Sequence, residues 1–304
     1  MILRYLLIIL IILTLASVFV LPENFFELTI FDNSKKQAIS TRLPQIYPYP
    51  VPSANYNQPP QVTAKSAIII DAASGISLFE KDPDIRHLPA STTKLMTALV
   101  ALEKCSPETP VLVSQVNTDG TQMGLSEGDI VTAQNLLYGL LLASGNDAAY
   151  TLANACSASY SHFITLMNQK AEDLAMDNTH FANPAGFDSQ FQYSTARDLA
   201  KLAKVAIANP LIAKIVATQS TIVTDISGQK TYYLENVNKL LGQVQGIKGI
   251  KTGHTEGSLE ILISETTREG HSIIAVVLGS LNRFEESKEL IEWAFKNYSW
   301  NLPS

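Results

Sequence analysis

Strand-forming segments stand at both ends of the foldable part of this 304-residue chain, with helical segments between them. That arrangement leaves few architectures open. Near the start, Lys65 to Asp71 is a run rich in isoleucine, and Ala73-Ser74-Gly75 turns it into Ile76 to Phe79, which predicts a hairpin. Near the end, Gly249 to Thr255, Leu259 to Glu265 and Ser272 to Gly279 read as consecutive strands, turned at Arg268-Glu269-Gly270. Between them the apolar spacing predicts helices over about Ser91 to Lys104, Ala133 to Leu142, Tyr160 to Met176 and Ser194 to Ala208. Ser194 with Asp198 in the first turn, and Asn209-Pro210 at the end, bracket the last of these. A further helix, Arg283 to Tyr298, closes the chain. The expectation is one α+β domain whose antiparallel sheet joins the N- and C-terminal segments and is flanked by a helical region.

Two segments precede that domain, which is read as residues 63–304. Tyr5 to Leu21 is an unbroken apolar run with Arg4 before it and Glu23, Glu27 and Asp32 after it. It is near the short limit for a spanning helix and also fits the core of a signal peptide. No small-x-small cleavage site stands out around Leu15-Ala16-Ser17, so an uncleaved anchor is favoured for residues 1–21. The positive charge before the run places the rest of the chain outside the cytoplasmic membrane. Residues 22–62 read as a spacer: Pro44, Pro48, Pro50, Pro52, Pro59 and Pro60 remove donors and fix φ, so no ladder or helix is expected there. Its purpose would be reach.

Composition excludes some partners. With a formal charge of −6 and no basic run, nothing supplies a stripe for nucleic-acid phosphates. The five histidines show no metal-ligand spacing. Neither a Gly-x-Ser-x-Gly elbow nor a phosphate loop is present. Cys105 and Cys156 are too few for a disulfide scaffold, and they fit a single extracellular pair or two buried thiols alike.

Three short motifs carry chemistry. Ser91-Thr92-Thr93-Lys94 opens a helix after Pro89-Ala90, and residues three apart share a face, so Ser91 Oγ can meet Lys94 Nζ. A serine hydroxyl needs a base to become a nucleophile, and a lysine can be that base once burial or a second cation lowers its pKa. In isolation the same four residues fit a helix cap followed by a solvated lysine. Ser144-Gly145-Asn146 follows the apolar run Leu136 to Leu142 and places a hydroxyl and an amide against its end, although Ser, Gly and Asn also make ordinary turns. Lys251-Thr252-Gly253, on a predicted strand, could receive a carboxylate, with Gly253 admitting a ligand backbone; an exposed edge strand would look alike.

All three in this order resemble the motif set of penicillin-binding proteins and serine β-lactamases. The wider text resembles the low-molecular-weight D-alanyl-D-alanine carboxypeptidases from Ala64 to about Tyr298. It includes Pro89 to Thr97, Ala143 to Ala149, Phe181 to Asp188, Gly246 to Thr255 and Ala275 to Gly279. The resemblance implies that Ser91 attacks a terminal D-Ala-D-Ala bond while Lys94 accepts its proton. Ser144 would relay a proton to the leaving amine, and Asn146 would hold Lys94 and the substrate amide. Lys251 and Thr252 would bind the terminal carboxylate beside Gly253, and the Ser91 and His254 N–H groups would form an oxyanion hole. It also implies a peptidoglycan stem peptide as substrate, β-lactams as covalent inhibitors, and no metal or organic cofactor. One departure stands out. Where the family usually has an Ala-Gly pair and an aromatic residue, this chain has Ser258, Leu259 and Glu260, which puts one wall of the pocket in question.

The rival readings are a D,D-endopeptidase cutting cross-links, a β-lactamase and an inactive wall-binding protein. Between Asn146 and Lys251 there is no Glu-x-x-Leu-Asn to activate a deacylating water, which disfavours the β-lactamase. The intact motifs disfavour the inactive protein.

Overall fold

The computed structural model describes residues 48–301. The apolar run Tyr5 to Leu21 and most of the proline-rich stretch lie outside the described residues. Among those described, no helix is long and apolar enough to cross a membrane.

The described residues begin with strands β1 (Tyr49–Pro52), β2 (Ser66–Asp71) and β3 (Ser77–Lys81), and a 3₁₀ turn, Ala90–Thr93, leads into helix α1 (Lys94–Lys104). A helical region follows: α2 (Ala133–Leu141), α3 (Asn146–Ala155), α4 (Tyr160–Asp173), α5 (Ala196–Ala208) and α6 (Pro210–Val216). Short strands β4 (Pro110–Leu112) and β5 (Ile130–Thr132) pair before α2, and β6 (Ser220–Thr224) with β7 (Thr231–Glu235) makes a hairpin after α6. The chain ends with β8 (Ile247–Thr255), β9 (Leu259–Arg268), β10 (His271–Ser280), helix α7 (Arg283–Asn297) and β11 (Tyr298–Asn301).

The expected sheet is present. Its five antiparallel strands run β3-β2-β10-β9-β8, so N- and C-terminal segments meet at the β2–β10 pair. Every residue of β2 is buried because both faces of the strand are covered. Ala67, Ile69, Ile273, Ala275 and Val277 point to one face, against Leu290, Ile291, Trp293 and Ala294 of α7. Their alternates Ile68, Ile70, Ile274, Val276 and Leu278 point to the other and join the core of the helical region. Strand β8 is left as the outer strand, with one edge free to face a substrate.

Helix α1 runs through the helical region, with Leu95, Met96, Ala98, Val100 and Ala101 buried. Burying each of its larger side chains is worth roughly 2 kcal/mol, which fixes the helix that carries Lys94. Thr132, Ser159, Thr195 and Asn282 cap α2, α4, α5 and α7 through their side chains, and Asn209 caps α6. A disulfide joins Cys105, at the end of α1, to Cys156, at the end of α3. The pair that the sequence left open is therefore formed.

The expectation that the proline-rich stretch builds no ladder fails at its C-terminal part. Strand β1 pairs antiparallel with β11, Tyr49 opposite Asn301 and Val51 opposite Ser299. The Ser53 N–H continues the ladder to the Asn297 carbonyl at 2.8 Å. Residues 49, 51 and 53 thus face the partner, and Pro50 and Pro52, two apart, fall where the missing N–H would have pointed away.

Candidate active site

The Ser91-Thr92-Thr93-Lys94 motif opens differently from the sequence expectation. The α-helix begins at Lys94, and Ser91 sits in the 3₁₀ turn before it. Thr92 fixes that turn by donating its N–H and its hydroxyl to the Pro89 carbonyl, at 3.2 and 2.6 Å. Side chains three apart eclipse one another in a 3₁₀ turn, so the spacing works better here than in an α-helix. Ser91 Oγ and Lys94 Nζ are 3.1 Å apart. Ala90 holds a left-handed φ of 47° that aims this turn, and Gly186 packs directly on its carbonyl. A Cβ on Gly186 would lie 1.9 Å from Ala90 O, so only glycine fits there.

Lys94 is fully buried, and its Nζ donates to Asn146 Oδ1 at 2.7 Å and to the Ala185 carbonyl at 2.6 Å. Burial first, then the charge of Lys251, holds its pKa well below the ordinary lysine range, with Asp147 opposing the shift. A neutral amine has two N–H groups and one lone pair. In the neutral form the two carbonyls take both N–H groups, which leaves the lone pair for Ser91 and makes the serine hydroxyl the donor of that bond. This is the polarity a general base needs.

Both carbonyl partners are held from behind. Asn146 opens α3 after Ser144, whose φ is 60°, and its N–H donates to the Thr121 carbonyl at 2.7 Å. Its Nδ2 donates to the Asp119 carbonyl at 2.8 Å, and since that carbonyl can only accept, Oδ1 must be the atom facing Lys94. The buried Asp147 carboxylate accepts N–H groups from Met123, Gly124, Leu125 and Ala148, at 2.9 to 3.1 Å, and so fastens the 119–125 loop to the α2–α3 turn. Ala185 is presented by an Asx turn. Asn183 Oδ1 accepts from the N–H groups of Ala185, Gly186 and Phe187, at 3.2, 2.7 and 3.0 Å.

The third motif lies along β8. Lys251 Nζ, buried, donates to Ser144 Oγ at 3.0 Å and to the Thr252 carbonyl at 3.1 Å. Burial, and then the charge of Arg283, lowers its pKa to about 7. Arg283 Nη1 reaches the Gly253 carbonyl at 2.8 Å. A Cβ on Gly253 would lie 3.3 Å from Ser91 N, so the glycine lets β8 run close beside Ser91. Thr252 is buried beside it, and the His254 side chain is exposed.

Hydrogen bonds thus join Ser91, Lys94 and Asn146 on one side, and Ser144 and Lys251 on the other. Thr252, Gly253 and His254 follow on the same strand. Ala185, Asn183, Asp147, Asp119 and Arg283 were not among the predicted site residues. Of these, Asn183-Pro184-Ala185-Gly186 carries the only local signal, that of a turn.

The departures also find a place. Leu259, where glycine was expected, holds a φ of 56°, a conformation that strains an L-residue by roughly 1 kcal/mol. Ser258 closes the β8–β9 turn by exchanging hydrogen bonds with Thr255, at 2.9 and 3.0 Å. Glu260 Oε2 accepts the Arg283 N–H at 3.0 Å, which ties the start of α7 to the strand beside Gly253.

Comparison with known proteins gives the same family at every level. The model of a family described as D-alanyl-D-alanine carboxypeptidase matches residues 53–282. The chain is 32% identical to the D-alanyl-D-alanine carboxypeptidase DacF of Bacillus subtilis over 246 residues, 77% of this chain but only 63% of that relative's length. It is 32% identical to a D-alanyl-D-alanine carboxypeptidase of a Streptomyces species over 257 residues, covering 78% of this chain and 88% of the relative. The crystal structure of a Streptomyces DD-transpeptidase superposes with a TM-score of 0.74 at 31% identity, covering 79% of this chain and all of that one. Matched over most of its length in sequence and in fold, the chain belongs to the D-alanyl-D-alanine carboxypeptidase family of low-molecular-weight penicillin-binding proteins.

Proposed function

We propose that the chain is a serine D,D-carboxypeptidase that removes the terminal D-alanine from peptidoglycan stem peptides through an acyl-enzyme on Ser91. One observation carries the reading. Lys94 Nζ, with both N–H groups taken by carbonyls, stands 3.1 Å from Ser91 Oγ. The substrate's terminal carboxylate lies against Lys251 and Thr252, and its scissile carbonyl sits over Ser91. Ser91 gives its proton to Lys94 as Oγ bonds to the carbonyl carbon, and the N–H groups of Ser91 and His254 receive the oxyanion. Ser144 Oγ already accepts from Lys251, so its own hydroxyl proton is free to pass to the leaving nitrogen, and Ser144 recovers a proton from Lys94. The C–N bond breaks and D-alanine departs. Water, deprotonated by Lys94, then adds to the ester, and Ser91 is released with its proton.

β-Lactams would acylate Ser91 by the same steps and leave slowly. The enzyme works outside the cytoplasmic membrane, held there by Tyr5 to Leu21. The Cys105–Cys156 disulfide supports an oxidising compartment. The test is a synthetic pentapeptide ending in D-Ala-D-Ala, run beside a cross-linked dimer of the same peptide. Release of D-alanine from the pentapeptide, abolished in Ser91→Ala, is expected. Cleavage of the dimer alone would replace this reading with an endopeptidase.

A further inference from the structure

A cavity of about 390 Å³ lies beside the β6–β7 hairpin, and no step above uses it. Its volume falls within the roughly 300 to 1,000 Å³ of small-ligand sites, but its lining is polar where such sites are mostly apolar. Gln219, Ser220 and Gln243 line it with exposed side chains that make no hydrogen bond among the described residues. Glu235 and Lys239 add one charge of each sign, so the lining is neutral in sum. Tyr233 supplies an aromatic ring that is 68% exposed, and its backbone is fixed in the ladder opposite Ile222. Tyr232, on the other face of the hairpin, is buried and anchors it by donating to Asp129 Oδ2 at 2.8 Å. The Tyr233 ring is thus held out beside the amides.

Asn238 also lines the cavity, yet it is only 3% exposed. Its Oδ1 accepts the Leu240 N–H at 3.1 Å, which leaves Nδ2 as the donor, and Nδ2 has no partner among the described residues. A buried donor without an acceptor costs stability, and a ligand in the cavity that Asn238 lines can supply one. The cavity borders the Lys251 end of the cleft. Val237 donates its N–H to the Leu142 carbonyl, two residues before Ser144, at 3.2 Å. Asn236 Nδ2 donates to the Val216 carbonyl at 3.1 Å, and Gly249, two residues before Lys251, packs against that same carbonyl. A stem peptide whose terminal carboxylate lies at Lys251 has its leaving residue nearest this cavity and its attachment to the glycan at the far end. A sugar held here therefore belongs to a neighbouring strand, not to the stem being cut.

We propose that this cavity is a second binding site, for an N-acetylated hexosamine of a glycan strand, and that through it the enzyme holds the polymeric wall rather than a free precursor. Sugar hydroxyls both donate and accept, as the Gln219 and Gln243 amides and the Ser220 hydroxyl do. An acetamido or hydroxyl oxygen accepts from Asn238 Nδ2, and the C–H face of the sugar ring lies on the electron-rich face of Tyr233. A lining with one charge of each sign suits a neutral ligand better than an anion or a cation. The choice of a wall polymer rests on the carboxypeptidase reading; saccharide binding does not.

The probe is a peptide-free oligomer of N-acetylglucosamine, titrated into the full-length protein in detergent, with Kd read from ligand-observed NMR. The parent should bind it. Tyr233→Ala should weaken binding about three- to tenfold, and so should Asn238→Asp, which keeps the acceptor for Leu240 and loses the donor. The Tyr233 side chain is exposed, so its variant should keep the fold. D-Alanine release is then compared between a free pentapeptide and glycan strands bearing the same pentapeptide. Tyr233→Ala should raise KM on the strands about three- to tenfold and leave the rate on the free peptide unchanged, a split that a merely structural role would not give. No binding of the oligomer by the parent, or binding and strand KM unchanged in Tyr233→Ala, would overturn the second site while leaving the carboxypeptidase reading intact. No D-alanine from either substrate, with the oligomer still bound, would instead strike at that reading alone.

Discussion

Replacing Asn146 by aspartate keeps the size of the side chain and the acceptor on Lys94, and changes only charge and one donor. The carboxylate would stand 2.7 Å from Lys94 Nζ, where Asn146 Oδ1 now stands. With an effective dielectric constant of about 20, a unit charge at that distance favours the ammonium form by about 6 kcal/mol, roughly four powers of ten in the neutral fraction. Desolvation of the new carboxylate opposes this. Even half the effect weights the ammonium form over the neutral amine by about a hundredfold. The penalty falls on Lys94, because its parent pKa is held low by burial and by Lys251, and a neighbouring anion works against both. The assay is the second-order rate of penicillin acylation followed from about pH 6 to 10. The acid limb of the profile should move up in pH for Asn146→Asp. Asn146→Ala, which loses the same contact to the Asp119 carbonyl, should lower the rate without moving the limb upward. A folded Asn146→Asp that acylates at the parental rate at neutral pH, or with an unmoved limb, would refute the assignment of neutral Lys94 as base.

Other outcomes follow from neighbouring contacts. Lys251, with a pKa of about 7, is mostly neutral at pH 8, so a carboxylate ligand should bind there with uptake of about one proton, and Lys251→Met should abolish it; calorimetry in buffers of different ionisation enthalpy reads this directly. For the same reason Lys251 costs stability that grows as pH falls below the unfolded value near 10.4 and levels off below about 7, so the stability of Lys251→Met relative to the parent should fall as pH rises between those limits. Gly186→Ala, whose Cβ would lie 1.9 Å from Ala90 O, should displace Ser91 and lower acylation by about a hundredfold or more while costing roughly 2 to 4 kcal/mol of stability, both measured on the same preparation. Reducing Cys105–Cys156, 51 residues apart, should lower stability by about 4 kcal/mol on chain-entropy grounds, seen as a lower midpoint in denaturant; an unchanged midpoint would show that the packing of α1 against α3 suffices.

How much of this was legible depends on how local each cause is. The sheet was readable because the strands announce themselves by β-branched runs and turns, and because strands at both ends of a domain have few ways to close. Ser91, Lys94, Ser144, Asn146 and Lys251 were readable because each belongs to a short motif. The 3₁₀ start was not, since it depends on Ala90 adopting a left-handed φ under the packing of Gly186, some ninety residues away. The Ala185 carbonyl was not, because a backbone acceptor has no side-chain signature and becomes a site atom only through the Asn183 turn. Asp147 adjoins a motif, yet its role in pinning residues 123–125 is a long-range contact. The β1 ladder was missed because proline content was read as excluding pairing, when proline excludes it only at alternate positions. Cys105 and Cys156 meet only because α1 and α3 end side by side.

Acylation at Ser91 Oγ is the step on which every proposed role at the site depends. The protein without the N-terminal apolar run, incubated with labelled penicillin and digested, should carry one adduct, and mass spectrometry should place it on Ser91. A folded Ser91→Ala variant should carry none. An adduct mapped to another residue, or undiminished labelling of that variant, would contradict the central claim.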